Sequence, residues 1–277
     1  MATFIYRTVS GLVASRNDQY CFFNSDWDSL FQGDGLRDSL AALSIVDDES
    51  ARTAVENELL PPIGAQEVWA SGVTYYSSRL ARMEESQSAG GADFYARVYN
   101  ADRPELFFKS IAQRVRGHGQ TVRVREDSAW DVPEPELTLA ISDKGQIIGY
   151  TIGNDMSSRS IEGENPLYLP QAKSYEGATG IGPGLCILDT PIAKETGIRL
   201  SINRSDSVVF EGQTSLKEMK RELEELAAYL YRELSFSNGC YLMTGTGIVP
   251  GTEFTLQSGD EIAIEIDNLG RLFQTVE

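Results

Sequence analysis

Three carboxylates stand where regular backbone would bring them together. Glu134 and Glu136 lie two residues apart at the start of a strand-like run, PEPELTLAI, so both side chains can leave one face. Pro133 and Pro135 keep the approach extended. Asp155 ends a second run, IIGYTIGND, and Asp143-Lys144-Gly145 between the runs predicts a hairpin. That hairpin returns Asp155 to the end carrying Glu134 and Glu136. Carboxylates forced together repel unless one keeps a proton or a cation sits between them. Without histidine or cysteine in the set, the all-oxygen ligands suit magnesium, manganese or calcium and disfavour zinc. On spacing alone, a pair of solvated strand-edge charges is the alternative.

Arg159, Gln171 and Lys173 follow closely and suit a substrate carboxylate. Arg159 can grip it with two parallel bonds and Lys173 acts as a point charge, with surface salt bridging as the alternative for each. Glu84 and Glu85 end a helical segment in which Leu80 and Met83 mark the expected inward side. Glu84, one turn beyond Leu80, shares that side and is favoured over Glu85, and a partly desolvated Glu there can serve as a base. His118, the sole histidine, sits between glycines in RGHGQ and reads as a surface loop residue. The run LMTGTGIVPG at 242–251 lacks the lysine of a phosphate-binding loop. Cys21, Cys186 and Cys240 read as buried free thiols.

Around these residues the chain alternates short strands with few helices, which predicts a curled mixed sheet with helices outside. FIYRTV, YCFFN, LFFK and VRVRED read as strands, and two further hairpins join IRLSIN to VVFEG and IAIEID to RLFQTV. One long helix is expected over 214–234, with Leu216, Met219, Leu223, Leu226, Leu230 and Leu234 on a stripe and a capping box of Ser215 with Glu218. Pro61 and Pro62 divide a small N-terminal domain, 1–62, from a main domain, 63–277. The 277 residues suffice for a full core. A net charge of -17 argues against nucleic-acid partners. No apolar run is long enough to span a membrane and no secretory signal is evident, so a cytoplasmic location is expected.

PEPEL, GYTIGNDMSSRSIEG and the later glycine-threonine run resemble the fumarylacetoacetate hydrolase superfamily over roughly residues 68–267. GENPLYLPQAK looks like the branch that includes dehydratases of 2-oxo-3-deoxy sugar acids. The resemblance implies an α+β fold with a mixed β-roll core, a homodimer or dimer of dimers, and a divalent metal on Glu134, Glu136 and Asp155. It also implies that Lys173 helps bind or activate substrate and that Thr246 lines the pocket. Hydrolytic members carry a His–Glu pair on a short lid helix. The matching stretch here, VTYYSSRLARMEES, has no histidine. Dehydration of a 2-oxo-3-deoxy acid through a metal-stabilised enolate is therefore expected, with Glu84 or Lys173 as base and Arg159 or Gln171 orienting the substrate. Hydrolysis, isomerisation or decarboxylation of an acylpyruvate or a related dicarboxylic 2-oxo acid is the alternative within enzymes, and a non-catalytic metabolite-binding protein the alternative outside them.

Overall fold

A computed structural model describes residues 2–85 and 92–277, leaving out the side chains of 84, 85 and 92–95. Alternating aromatic and β-branched residues form β1 (Ala2–Thr8), β2 (Gly11–Arg16) and β3 (Gln19–Phe23), followed by helices α1 (Leu36–Ala42) and α2 (Glu49–Asn57). Asp48 opens α2 by accepting a bond from the Ser50 amide. Beyond Pro61 and Pro62 come β4 (Glu67–Gly72), α3 (Tyr76–Glu85), α4 (Ala92–Asn100) and β5 (Glu105–Ile111). Three two-residue strands follow, β6 (Val115–Arg116), β7 (Thr121–Val122) and β8 (Asp131–Val132). The middle of the chain supplies β9 (Pro135–Ile141), β10 (Ile147–Asp155), β11 (Ser157–Ser158), α5 (Arg159–Glu164), α6 (Leu169–Lys173) and β12 (Thr179–Leu188). The last third holds β13 (Gly197–Arg204), β14 (Ser207–Ser215), α7 (Leu223–Leu230), β15 (Cys240–Met243), β16 (Glu261–Ile266) and β17 (Gly270–Val276).

The three expected hairpins form, β9 with β10, β13 with β14 and β16 with β17. Ten strands make one mixed sheet in the order β3-β2-β1-β12-β10-β9-β15-β4-β5, with β6 alongside β12. β1 hydrogen-bonds antiparallel to β12, so the small N-terminal region extends this sheet. A five-stranded sheet, β14-β13-β16-β17-β7, packs against it, and β8 pairs with β11. β9 is buried along its whole length because both of its faces are covered. Leu137, Leu139 and Ile141 share a core cluster with Ile198, Leu200, Ile262 and Ile264 of the smaller sheet. Ala140 belongs instead to the cluster of Ile5, Trp27 and Phe31. Among the described residues no helix is long and apolar enough to cross a membrane. The three cysteines are free and buried, as expected.

Two expectations fail. The helix expected over 214–234 is confined to α7, because β14 runs to Ser215 and a single 3-10 turn occupies Leu216–Glu218. Ser215 makes no capping bond, and Leu234 is exposed. Tertiary bonds override helical propensity here. The Lys220 amide donates to the Thr74 carbonyl, and Arg221 donates to the carbonyls of Val98, Ala101 and Asp102, satisfying the C-terminal end of α4. The strand expected over VRVRED shrinks to Thr121–Val122. The Arg123 amide turns to the Gly177 carbonyl instead, and Arg125 pairs with Asp127.

Candidate active site

The register of the β9–β10 hairpin assembles the three carboxylates. Gly153 stands opposite Glu136, and the Asp155 amide donates to the Glu134 carbonyl. Residues opposite each other share a face, and so do residues two apart, so Glu134, Glu136 and Asp155 all project to one side. Their carboxylate oxygens come within 4.8 Å of one another, and each residue is at most 5% exposed. The Gly245 amide, in the GTG turn after β15, donates to Glu136 Oε2 at 2.6 Å.

Cations surround this cluster. Lys173, at the end of α6, donates from Nζ to Glu134 Oε2 (2.7 Å), Asp155 Oδ2 (3.0 Å) and Ser157 Oγ (2.5 Å). Arg159, the first residue of α5, places Nη2 2.5 Å from Glu134 Oε1. Lys109 approaches from β5, its Nζ 2.5 Å from Asp155 Oδ1 and 3.0 Å from the Met156 carbonyl. Behind them, Arg82 of α3 pairs with Glu162 of α5 at 2.6 Å. The cleft at the centre measures only about 10 Å³ and is also lined by Ser78, Phe107, Gly72 and Thr246. A larger concavity of about 640 Å³ lies on β13, β14, β16 and β17, where Arg199, Arg271, Glu211 and Glu265 are solvated surface charges.

Burial and repulsion set the ionisation. Burial raises the Glu136 carboxyl well above its ordinary range, and the charges on Asp155 and Glu134 push it further. Burial raises Glu134 as well. Burial also acts to raise Asp155, but Lys109 and Lys173 outweigh it and hold that carboxylate below its usual value. Glu105, Glu134, Glu136, Asp155 and Glu162 face Arg82, Lys109, Arg159 and Lys173, an excess of one negative charge. An oxygen-ligated divalent cation fits this cluster. It removes the penalty on Glu136 and leaves one positive charge, which a monocarboxylate matches.

Of the residues expected from the sequence, Glu134, Glu136, Asp155, Arg159, Lys173 and Thr246 come together around the cleft. Arg159, however, is committed to Glu134 rather than open toward a ligand. Gln171 is not brought in. It lies two residues before Lys173 on α6, about 200° away around the helix, and its side chain is exposed while its carbonyl accepts from Arg125. The side chain of Glu84 lies outside the described residues. The helical phase that favoured it is overturned, since the buried stripe runs through Tyr75, Ser78 and Arg82 while Leu80 is 48% exposed. His118 is half-buried, its Nδ1 lying 3.0 Å from the Arg271 carbonyl, and it is not among the residues that line the cleft.

Lys109, Arg82, Glu162 and Glu105 escaped the sequence reading. Lys109 owes its aim to a β-bulge. Trp69 pairs with Phe108 and Val68 with Ser110, so Lys109 is the extra residue between them. The one signal was a lysine inside the otherwise apolar run LFFK. Glu105 stands opposite Gly72, and a Cβ added at Gly72 would lie 2.2 Å from Glu105 Oε2. That oxygen is buried with no hydrogen-bond partner among the described residues. Burial raises the carboxyl above its ordinary range, countered in part by Arg82.

The sequence profile of the fumarylacetoacetate hydrolase C-terminal family matches residues 68–277. The chain belongs to that family. Within it, the chain is 41% identical over 279 residues to a probable 2-keto-3-deoxyxylonate dehydratase of Haloferax volcanii, covering 96% of this chain and 94% of that one. It is 42% identical over 220 residues to the 2-dehydro-3-deoxy-D-arabinonate dehydratase of Saccharolobus solfataricus, covering 78% and 73%. A solved 2-keto-3-deoxy-D-arabinonate dehydratase, complexed with magnesium and 2,5-dioxopentanoate, superposes with a TM-score of 0.83 at 32% identity, covering 100% of this chain and 99% of that one.

Proposed function

We propose that the protein is a divalent-metal-dependent dehydratase of a 2-oxo-3-deoxy sugar acid. The observation that carries the reading is the buried cluster of Glu134, Glu136 and Asp155 in a cleft lined by cations and by no histidine. The named dehydratase relatives, and the magnesium and dioxo acid in one of the solved structures, support it. Glu134, Glu136 and Asp155 hold the cation, magnesium in the first place and manganese or calcium as alternatives. When bound, such an ion supplies Lewis-acid stabilisation of negative charge on the 2-oxo oxygen as a C3 proton leaves.

The chain's own residues do the rest. Lys173, which burial would discharge but the carboxylates of Asp155 and Glu134 keep protonated, offers positive charge to the substrate carboxylate. Arg159 orients Glu134, and Thr246 bounds the pocket. Glu105 takes the C3 proton: it stands against the cleft residue Gly72, its Oε2 is buried without a hydrogen-bond partner among the described residues, and burial raises its carboxyl. Glu84 at the end of α3 is the competing acceptor. The proton is returned to the hydroxyl leaving C4, so one water departs and leaves a 3,4-unsaturated 2-oxo acid. Loss of a C5 proton with protonation at C3, then tautomerisation of the resulting C5 enol, gives the 2,5-dioxo acid. A homodimer or dimer of dimers, a cytoplasmic location, no nucleic-acid partner and a division at residues 62 and 63 complete the proposal.

Chelation is expected to abolish activity and magnesium or manganese to restore it. Glu136→Ala should be inactive with or without added metal and should lose magnesium binding by calorimetry, since one of three protein oxygens is gone. Full activity in either case refutes the metal assignment.

A further inference from the structure

Beside the metal cleft lies a second, wider concavity of about 280 Å³. Ser77, Leu80 and Ala81 of α3 form one wall, residues of the 247–252 run form the other, and Trp130 completes it. Three adjacencies place it next to the cleft, with which it shares no lining residue. Ser77 precedes Ser78, and Gly247 follows Thr246, with Ser78 and Thr246 both lining the cleft. Trp130 accepts the Arg159 amide on its carbonyl at 2.8 Å, and Arg159 lines the cleft too. At the boundary the Ser77 hydroxyl donates to the Gly247 carbonyl at 2.9 Å.

The two spaces differ in chemistry. The cleft is built from buried charges, whereas among the described residues none that lines the groove carries an ionisable side chain. The groove does offer uncharged polar groups. Ser77 Oγ and the Gly247 carbonyl can exchange their mutual bond for bonds to a ligand hydroxyl. Trp130 Nε1–H is buried and has no hydrogen-bond partner among the described residues. A buried donor without a partner is a standing cost that a hydroxyl ligand relieves.

We propose that this groove is the subsite for the end of the substrate remote from its carboxylate, and that its lack of charge selects an uncharged, hydroxyl-bearing end over a second carboxylate. The proposal rests on the reading that the cleft binds the 2-oxo acid end beside a cation. A distal carboxylate in the groove would be partly desolvated beside Leu80, Trp130, Val249 and Pro250, with no cation among the described lining residues to meet it. The subsite thus separates sugar-acid substrates from the dicarboxylic 2-oxo acids that share the same metal-binding end.

Three probes test it by calorimetry on the magnesium-supplemented protein. They are pyruvate, which has no distal end, 5-hydroxy-2-oxopentanoate, which cannot lose a C4 hydroxyl, and 2-oxoglutarate. The wild type is expected to bind the hydroxy acid at least about tenfold more tightly than 2-oxoglutarate. Leu80→Arg should shift that ratio about tenfold toward 2-oxoglutarate, an effect of one charge pair, while pyruvate affinity holds. Thr252→Arg, at an exposed position on the opposite wall, repeats the test should the first variant fold poorly. Equal or tighter binding of 2-oxoglutarate by the wild type, or a ratio unmoved in both folded variants, overturns the subsite. Failure of pyruvate to bind at all overturns the metal-and-2-oxo-acid reading, and the subsite with it.

Discussion

Glu105 and Lys109, four residues apart on one strand, have opposite tasks in the proposed chemistry. Lys109 is spent on Asp155, where it keeps a ligand carboxylate ionised, and Glu105 retains a buried oxygen with no bond among the described residues. Glu105→Gln is therefore expected to lower turnover by ~10² or more while magnesium and pyruvate still bind, since the isosteric amide removes only the proton acceptor. Exchange of the C3 hydrogens of a bound 2-oxo acid with deuterated water, followed by NMR, reads this step. Undiminished exchange in Glu105→Gln, with loss in Glu84→Gln, would return the role to α3. The carboxylate triad was legible in the sequence because a strand repeats every two residues and a hairpin has a definite end. Lys109 was not, because nothing in LFFK announces the bulge that turns it inward.

At the scale of elements, α3 shows where hydrophobic periodicity misleads. The inner side of a helix is usually apolar, so Leu80 and Met83 were expected to face inward. This helix packs over a charged cleft, so Ser78 and Arg82 are buried and Leu80 is left to line the groove. The short β8–β11 ladder, which leads the chain into Glu134, carries a cost of its own. Burial pushes the Asp131 carboxyl from 3.8 up to about 6. A raised acid favours folding fully below its unfolded value and loses that contribution as pH rises through the folded one. Asp131→Asn is therefore expected to leave the melting temperature unchanged near pH 4 and to raise it by about 2–4 °C above pH 7. An equal change at both pH values would mean that Asp131 acts through packing alone.

Across the whole molecule, the ten-stranded sheet is what makes the site possible. Its central strand β9 is covered on both faces, so Glu136 at its start is 1% exposed and cannot be relieved by water. The hairpins and the mixed sheet could be read from alternation and turn residues. The tertiary bonds that cut the expected 214–234 helix down to α7 could not, because they join residues more than a hundred positions apart, as Arg221 does with Val98. The central claim, that this fold uses buried acids and a divalent cation to dehydrate a 2-oxo-3-deoxy acid, is tested most directly by NMR of a 2-oxo-3-deoxypentonate incubated with the protein in deuterated water. With magnesium present the predicted result is a 2,5-dioxo acid carrying deuterium at C3, with no such product after chelation. Pyruvate as the product, or consumption of substrate that is indifferent to the metal, would contradict it.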